Sequence, residues 1–427
     1  MCRSSVVNSD TVSEFMDHFQ LRNDAIWCED VPLETIAAEV GTPVYVYSTA
    51  TIRSQARAMC DALGDLVDPL VAFAVKANPN RSVLRILSDA GLGADIVSIG
   101  EYRRAIEAQI PPDRIVFSGV GKTADEMKEA LLGGVLQFNL ESVQEAETLS
   151  QVAQAVGRTA PVAFRINPDV AAQTHAKITT GTLDNKFGIP AAEAISAYRS
   201  AAALPCLDVT GVAVHIGSQL VSLEPLADAF ERLGQIIVDL RREGANIRVA
   251  DLGGGLGVPY DRGQPNPPTS AEYGRMVKAV TAGWDVRLVF EPGRLIVANA
   301  GVLLSRVVRL KPGARHDWVI VDAAMNDLIR AALYDAYHAI DAVRPTGRIT
   351  TANVVGPVCE SGDTFAMARE MDEVAADDLV IFRTAGAYGA AMSSCYNSRP
   401  LTPEVLVDGS EWRLVRRRVN LSDLAEA

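Results

Sequence analysis

A lysine follows one of the apolar runs of the chain. Lys76 comes directly after Val71–Val75. A lysine at the end of a buried strand loses hydration, which lowers its pKa and makes the free amine available to form a Schiff base with a carbonyl group. The alternative interpretation is a lysine that reaches to solvent from a strand end. Lys76 is therefore a candidate nucleophile.

Three consecutive glycines follow a later apolar run. Gly253, Gly254 and Gly255 come after Arg248–Leu252. A glycine-rich turn at this place exposes backbone N–H groups that can bind an anion such as a phosphate. The dinucleotide pattern G-x-G-x-x-G fits badly, because it requires a glycine where Val258 stands. A tight turn without a ligand is the alternative, but the position after a strand favours phosphate.

An acid and an arginine follow the run Arg287–Phe290. The segment reads Glu291, Pro292, Gly293, Arg294. A carboxyl group beside a heterocyclic cofactor can keep its ring nitrogen protonated, and a guanidinium binds a carboxylate or a phosphate with two parallel hydrogen bonds. The alternative is a structural Glu–Arg ion pair in a loop.

Two further side chains could take part in chemistry. His215, near Ser218, suits a stacking or acid–base role, although a lone histidine is usually structural. Cys359, beside Glu360, could donate a proton, although an inert buried thiol is the more common case. The chain has only five histidines, without paired spacing, and we therefore expect no metal site.

The elements that must position these groups follow a regular rhythm. Eight short apolar runs alternate with helical stretches such as Ser82–Ala90, which Gly91 should end, and Leu226–Arg242. Alternation of this kind indicates parallel strands, and a count of eight indicates a closed (β/α)8 barrel of the TIM type, although one miscounted strand would leave an open sheet. The runs are Val71–Val75, Ala94–Val97, Arg114–Phe117, Val135–Phe138, Val162–Ile166, Gly211–Val214, Arg248–Leu252 and Arg287–Phe290.

The candidate residues fall where barrels build active sites. Polar side chains stand at the C-terminal ends of the eight runs, and these ends meet on one face of a barrel. They are Lys76, Asp95, Ser98, Ser118, Asn139, Glu141, Arg165, Asn167, His215, Ser218, Asp251, Glu291 and Arg294.

After Arg294 the pattern changes to short apolar segments separated by turn residues, which predicts a β-rich second domain. We expect a barrel over residues 48–296, and a β-rich domain that completes the site over residues 1–47 and 297–427. The strand-like segments are Pro43–Tyr47, Val302–Leu310, Trp318–Val321, Asn353–Val355, Leu379–Arg383 and Glu411–Arg416.

Composition limits the class of partner and the compartment. The formal net charge of -13 argues against nucleic acid or an anionic membrane as the main partner. Six scattered cysteines without a CxxC pair suit reduced thiols in a cytoplasmic protein. Met1–Asp10 lacks the apolar core of a signal peptide, and no apolar run approaches the ~20 residues of a membrane span.

Taken together, the motifs resemble those of the alanine-racemase-like, fold-type III pyridoxal-phosphate decarboxylases, and most closely the diaminopimelate decarboxylase family. The likeness extends from about Gly41 to Pro400. It implies a barrel that carries pyridoxal 5'-phosphate, a β-rich domain that completes the site, and a homodimer that shares the active site across its interface. It also implies decarboxylation of meso-diaminopimelate to L-lysine, the last step of lysine biosynthesis.

The resemblance assigns roles to individual residues. Lys76 matches the lysine that holds the cofactor, and His215 matches the residue that stacks on its ring. Glu291 matches the partner of the pyridine nitrogen. Cys359 matches a thiol from the neighbouring subunit that protonates the carbanion. The residues expected to bind the cofactor are Lys76, His215, Ser218, Gly253, Gly254, Gly255, Glu291, Pro292, Gly293, Arg294 and Tyr388.

The resemblance also places a set of residues on the substrate. A substrate with two carboxylates and two ammonium groups needs arginines and an acid when it is desolvated. Ornithine and arginine lack a distal carboxylate and have no use for Arg330, which favours meso-diaminopimelate. The residues expected to bind the substrate are Arg294, Arg330, Tyr334, Glu360 and Tyr388.

Three departures from the family pattern leave alternatives open. Ala324 and Ala331 replace a common glycine and proline, and Cys395 takes a frequent asparagine position. Loop changes of this kind could redirect selectivity toward another amino acid, or toward racemisation. A catalytically silent relative is the third hypothesis, but it should have lost Lys76, Glu291 or Cys359, and all three are present.

Overall fold

The structure is a computed structural model that describes residues 17–170, 186–261, 263, 266–419 and 422–423. The sequence-based expectation about Met1–Asp10 therefore lies outside the described residues. Before the barrel, three short strands form an antiparallel sheet, and a helix leads from them into a fourth strand. These elements are β1 (Phe19–Arg22), β2 (Ala25–Cys28), β3 (Val31–Pro32), α1 (Leu33–Val40) and β4 (Val44–Ser48).

Eight parallel strands close into a barrel. Each strand pairs with its neighbours along the chain, and β13 returns to pair with β5, so the ring has no free edge. The predicted (β/α)8 barrel is confirmed. The ring strands are β5 (Leu70–Ala74), β6 (Gly93–Ile96), β7 (Ile115–Phe117), β8 (Gln137–Leu140), β9 (Ala160–Asn167), β11 (Leu207–Ala213), β12 (Val249–Asp251) and β13 (Arg287–Phe290), while β10 (Ile189–Pro190) pairs with β9 outside the ring.

Helices surround this ring. Helix α5 starts with a reciprocal capping box between Thr123 and Glu126 and ends before Gly134, whose φ is 83°. Helix α8 buries one face, which includes Leu226 and Phe230, as its spacing predicts. The barrel helices are α2 (Thr49–Leu63), α3 (Arg81–Asp89), α4 (Ile99–Glu107), α5 (Ala124–Gly133), α6 (Val143–Val156), α7 (Ala194–Ala202), α8 (Glu224–Arg242) and α9 (Ser270–Val280).

A second large sheet is formed mainly by strands that follow the barrel in the chain. It also includes β4, which pairs with β14 on one side and with β20 on the other. The early strand therefore pairs with strands from after residue 297, while the division of the chain at 48–296 stays a prediction. The remaining elements are α10 (Arg294–Val297), β14 (Gly301–Lys311), β15 (Asp317–Val321), α11 (Arg330–Tyr334), β16 (Ile340–Ala342), β17 (Ile349–Val355), β18 (Thr364–Asp372), β19 (Leu379–Phe382), β20 (Glu404–Asp408) and β21 (Glu411–Arg416).

The sequence patterns missed part of this second sheet. Strand β18 was not predicted because its alanines, methionines, arginine and glutamate favour helices locally, and antiparallel pairing with β17 overrides that preference. Strands β16 and β20 were also missed. Among the described residues, no helix has the length and apolar character of a membrane span.

The β-rich part contacts the barrel beside Lys76. The backbone N–H of Tyr388 donates to the carbonyl of Ala77 at 2.8 Å. The buried Asn78 amide donates to the carbonyl of Gly386 at 3.0 Å. These two bonds fix the turn that follows β19 against the turn that follows β5.

Candidate active site

A cavity of about 780 Å³ opens at the C-terminal ends of the barrel strands. It lies under the turn that contains Tyr388, so both parts of the molecule form its wall. Most of the candidate residues meet there. The predicted residues that line it are Lys76, His215, Ser218, Gly253, Gly254, Gly255, Glu291, Pro292, Gly293, Arg294, Arg330, Tyr334 and Tyr388.

Lys76 lies in a single 3-10 turn, Val75–Ala77, directly after β5. Its Nζ lies 2.6 Å from Oδ2 of Asp95. The register of the barrel brings the two together, because Ala74 pairs with Asp95 across β5 and β6. The Lys76 side chain is 40% exposed toward the cavity, whereas Asp95 is fully buried.

The predicted lowering of the Lys76 pKa is wrong. Burial acts to lower this pKa, but the negative charge of Asp95 and its hydrogen bond to the amine, together with the other acidic groups nearby, outweigh burial, and the net effect raises the pKa. In the protein alone the amine is therefore a charged ammonium paired with Asp95. Strand-end position predicted the desolvation and could not show the carboxylate beside it.

Two acids share a proton at the base of the cavity. The carboxyl groups of Glu291 and Asp251 are hydrogen-bonded to each other, which requires one of them to be protonated. Burial, and then the charge of Asp251, raise the pKa of Glu291 well above its usual value. Asn139 donates to Asp251 at 2.8 Å, and Ser118 contacts Glu291 at 3.3 Å.

The three glycines pack against neighbouring backbone with no room for a side chain. A Cβ on Gly254 would lie 2.3 Å from the carbonyl oxygen of Glu291, and one on Gly253 would lie 2.5 Å from that of Val214. Gly253 has a φ of 64°, and its N–H donates to Asp251 at 2.9 Å. The turn requires glycine for both conformation and close approach.

His215 follows β11 and lines the same cavity. Its Nδ1 lies 3.3 Å from the N–H of Gly254, which can only donate. Burial, and then the positive charges of Arg165 and Lys76, lower the pKa of His215 well below its usual value. The imidazole is therefore neutral.

Two buried arginines, Arg294 from the barrel and Arg330 from the β-rich part, lie on either side of the Tyr260 side chain in the wall of the cavity. The guanidinium carbons of Arg294 and Arg330 lie 5.6 and 4.8 Å from the ring centroid of Tyr260. Arg294 also lies 4.9 Å from the Tyr388 ring centroid and donates to Ser218 at 3.2 Å. Within the described parts of the chain, neither arginine has a carboxylate within 4.0 Å. Buried cations without an internal anion make this wall a binding surface for an anionic ligand.

Cys359 and Glu360 do not line the cavity of their own chain. Both are exposed, in the loop between β17 and β18. The buried Asp363 holds this loop, because its carboxylate accepts from the N–H groups of Val358 and Met325 at 2.6 Å each. The hydroxyl of Tyr396 contacts Glu360.

Sequence reasoning missed two residues of the cavity region. Tyr260 lies five residues after Gly255, and the His338 ring contacts the guanidinium of Arg330. Neither stands at a predicted strand end, so the barrel pattern gave no signal for them. Among the described residues, no group of three or more histidine, cysteine or acidic side chains is arranged to hold a metal ion.

Comparison with known proteins agrees with this geometry. Residues 49–298 match the family model described as pyridoxal-dependent decarboxylase, pyridoxal binding domain. The diaminopimelate decarboxylase of Zymomonas mobilis is 54% identical over 408 residues, which cover 95% of this chain and 97% of that protein. That of Pseudomonas aeruginosa is 51% identical and covers 96% of this chain and 98% of its own.

A solved structure shares the whole architecture. The diaminopimelate decarboxylase of Helicobacter pylori, crystallised in complex with L-lysine, superposes with a TM-score of 0.89 at 39% identity. The match covers 92% of this chain and 98% of that one. The chain belongs to the pyridoxal-dependent decarboxylases, in the diaminopimelate decarboxylase family.

Proposed function

We propose that the chain uses pyridoxal 5'-phosphate to decarboxylate meso-2,6-diaminoheptanedioate (meso-diaminopimelate) to L-lysine and carbon dioxide, the last step of lysine biosynthesis. The observation that carries this proposal is the pair of buried arginines in the same cavity as Lys76, without an internal carboxylate partner in the described residues. The names of the most similar relatives, and the L-lysine in the Helicobacter pylori complex, support the same substrate class.

The residues of the cavity fit the cofactor. Lys76 offers an amine for its aldehyde, the glycine turn lines the part of the cavity that we assign to its phosphate, and Glu291 offers a proton to its ring nitrogen. We place Ser218, Pro292, Gly293, Arg294 and Tyr388 around it as well. When bound, the cofactor supplies the electron sink for the bond that breaks between Cα and the carboxylate.

The protein's own groups prepare the amine and the ring environment. Lys76 must lose a proton before it can act as a nucleophile, and Asp95 lies 2.6 Å away as the acceptor. The neutral His215 can cover a ring face without adding charge. The proton on Glu291 is held where the ring nitrogen of the cofactor would need it.

We assign the distal end of the substrate to the arginine wall. A carboxylate that reaches Arg330 or Arg294 gains charge-assisted hydrogen bonds from cations that are already desolvated. Tyr334 and Tyr388 line the same cavity and lie within reach of such a ligand. Ornithine and arginine have no distal carboxylate and would leave this wall uncompensated.

Release of carbon dioxide from purified, cofactor-loaded protein tests the substrate assignment. We expect kcat/KM to be highest for meso-diaminopimelate, when ornithine, arginine and L-lysine are assayed beside it. Replacing Arg330 with methionine should raise KM for meso-diaminopimelate at least ~30-fold, since the loss of one partner of a buried charge pair costs about 2 kcal/mol or more. A preference for ornithine in the wild type would overturn the assignment.

We further propose that the active protein is a homodimer in which a second copy contributes Cys359 and Glu360. Both side chains are exposed in one chain and do not line its cavity. The reaction needs an acid for the substrate ammonium and a proton donor for Cα in that cavity. In this arrangement the Cys359 thiol protonates Cα after the carboxylate leaves.

Mixing inactive subunits tests the shared site. Lys76→Ala and Cys359→Ala homodimers should each be almost inactive, and a mixture that exchanges subunits should recover up to about a quarter of the wild-type activity, because one site in a mixed dimer keeps both residues. Native mass spectrometry of the mixture, with the two variants carrying tags of different mass, is the control for exchange. Recovery no greater than that of the separate variants, with exchange demonstrated, would contradict the shared site.

We also propose a cytoplasmic location. The five cysteines in the described residues are unpaired, which suits a reducing compartment. The oxidation state of these cysteines, measured in cell extracts prepared with a thiol-blocking reagent, tests the proposed location. We expect reduced thiols.

A further inference from the structure

His338 contacts Arg330, packs edge-on against the Tyr260 ring with the ring centroids 5.3 Å apart, and is only 3% exposed. Its Nδ1 lies 2.8 Å from the carbonyl oxygen of Arg383, which can only accept a hydrogen bond. Its Nε2 lies 2.9 Å from Nη1 of Arg330, which can only donate. One tautomer satisfies both partners: hydrogen on Nδ1 and a free lone pair on Nε2.

The imidazole stays in this neutral form. Burial, and then the charge of Arg330, lower the pKa of His338 to about 3. A protonated ring would direct N–H groups at both partners and would clash with the guanidinium. The contact with Arg330 is therefore that of a neutral acceptor over the whole physiological pH range.

His338 is itself held by the sheet. The carbonyl that it contacts belongs to Arg383, whose own N–H donates to the carbonyl of Ala339 at 2.9 Å. The Arg383 guanidinium is bound by the carboxylates of Asp17 and Asp341. His338 is thus held by the backbone at Arg383, and it in turn fixes the position of the Arg330 guanidinium.

A neutral partner of Arg330 leaves the positive charge of the guanidinium available to a ligand, whereas an acidic partner would not. A carboxylate at the place of His338 would orient Arg330 and also neutralise its charge. An imidazole orients the guanidinium and leaves its positive charge uncompensated, so that the charge remains available to an anion in the cavity. Tyr260, at 4.8 Å, supports the cation in the same way through its ring face.

We propose that His338 is a positioning residue that directs Arg330 at the distal carboxylate of the substrate and so contributes to selection for substrates that carry one. The inference rests on the proposed function only in assigning Arg330 to that carboxylate. The inference goes beyond the proposed function because it assigns part of the substrate selectivity to His338, which touches neither substrate nor cofactor.

A pair of ligands that differ by a single carboxylate tests the inference. L-lysine and 1,5-diaminopentane (cadaverine) differ by that group, and both can be measured as inhibitors of the cofactor-loaded enzyme. In His338→Asn and His338→Leu, the inhibition constant of L-lysine should rise about tenfold or more, as expected for a lost hydrogen bond to a charged group. The constant for cadaverine should stay within about twofold of wild type.

The conservative variant provides the rescue. Glutamine can place its amide oxygen where Nε2 stands, whereas the shorter asparagine can only reach the carbonyl of Arg383. His338→Gln should therefore keep L-lysine inhibition within about threefold of wild type. The KM for meso-diaminopimelate should follow the L-lysine constants, with kcat changed much less. His316→Leu, at a histidine that does not line the cavity, is the control.

The outcomes separate this inference from the proposed function. Wild-type protein that releases no carbon dioxide from meso-diaminopimelate contradicts the proposed function, while L-lysine binding, followed by the cofactor absorbance, still tests His338. Equal weakening of L-lysine and cadaverine in His338→Asn, or no difference between His338→Asn and His338→Gln, overturns the role of His338. If His338→Leu does not fold, the asparagine and glutamine variants carry the comparison.

Discussion

At the scale of single residues, the charge states of Lys76, Glu291 and Arg330 define the cavity. Lys76 is charged and paired with Asp95, while Glu291 keeps a proton because it is buried and because Asp251 lies beside it. Arg330 is desolvated and directed by a neutral histidine. The desolvated charge of Arg330 is costly in the protein alone, and a ligand that brings an anionic group relieves that cost.

The shared proton predicts how stability depends on pH. Burial raises the pKa of Asp251 to about 6, and the pKa of Glu291 is raised as well. Unfolded carboxyl groups titrate near ~4, so between about pH 4 and 6 the folded chain binds more protons than the unfolded chain. The stabilisation is thus fully present below pH ~4, and it is lost as pH rises through about 6.

Melting temperatures of the cofactor-free protein measure this effect. The wild type should lose stability as pH rises from about 4.5 to 7, and Asp251→Asn should flatten that decline because one of the two raised groups no longer titrates. Asp228→Asn, at an exposed position of α8, should leave the wild-type slope unchanged. If melting temperature fell with pH at the same slope in wild type and in Asp251→Asn, the result would contradict a proton shared between Asp251 and Glu291.

At the scale of elements, parallel strands place chemistry by their register. Pairing of Ala213 with Asp251, and of Asp251 with Val289, brings the acid of β12 next to the end of β13, where Glu291 follows. The glycine turn after β12 then packs directly on the backbone of Glu291. The glycine turn and Glu291 thus pack as one unit, and a substitution in the turn should displace Glu291.

Gly254→Ala tests that unit. The added Cβ meets backbone at 2.3 Å and cannot be accommodated by a side-chain movement. We expect a loss of about 1–3 kcal/mol in the free energy of unfolding, and weaker binding of pyridoxal 5'-phosphate. Gly100→Ala in α4 is the matched control: its Cβ would meet only Ser98 Oγ at 3.7 Å, and a helical alanine should be neutral or stabilising by about 0.5–1 kcal/mol. Retained stability and cofactor affinity in Gly254→Ala would contradict the steric argument.

At the scale of the whole molecule, the site depends on the contact between the barrel and the β-rich part. Asn78 is 3% exposed and bonds both to Gly386 and to the N–H of Asn80. It thus joins the turn that carries Lys76 to the segment that carries Tyr388. Loosening this contact should affect stability and catalysis together.

Asn78→Ala should lower the free energy of unfolding by about 1–3 kcal/mol, because a buried carbonyl and a buried N–H lose their partner. Its kcat should also fall, since Lys76 and Tyr388 are no longer fixed relative to each other. Unfolding by urea and steady-state kinetics measure the two effects. Asn246→Ala, at an exposed loop position, should change neither. A variant that loses stability with full kcat would show that this contact does not position the site.

The sequence by itself determined the barrel and the residues at its rim. Eight apolar runs at regular spacing must pair in parallel, and parallel pairing brings their C-terminal ends together; Lys76, the glycines and Glu291 could thus be placed in one cavity without a structure. Local pattern is sufficient here because each residue is positioned by the strand that precedes it.

Only the tertiary structure decided the charge states and the arginine wall. The partners of Lys76 and Arg330, namely Asp95 and His338, come from other elements, and a pKa depends on such neighbours rather than on position along a strand. Likewise, only the fold showed that Cys359 is exposed and does not line the cavity of its own chain. Contacts between separate elements carry no periodic signal, and they had to be read from the folded chain.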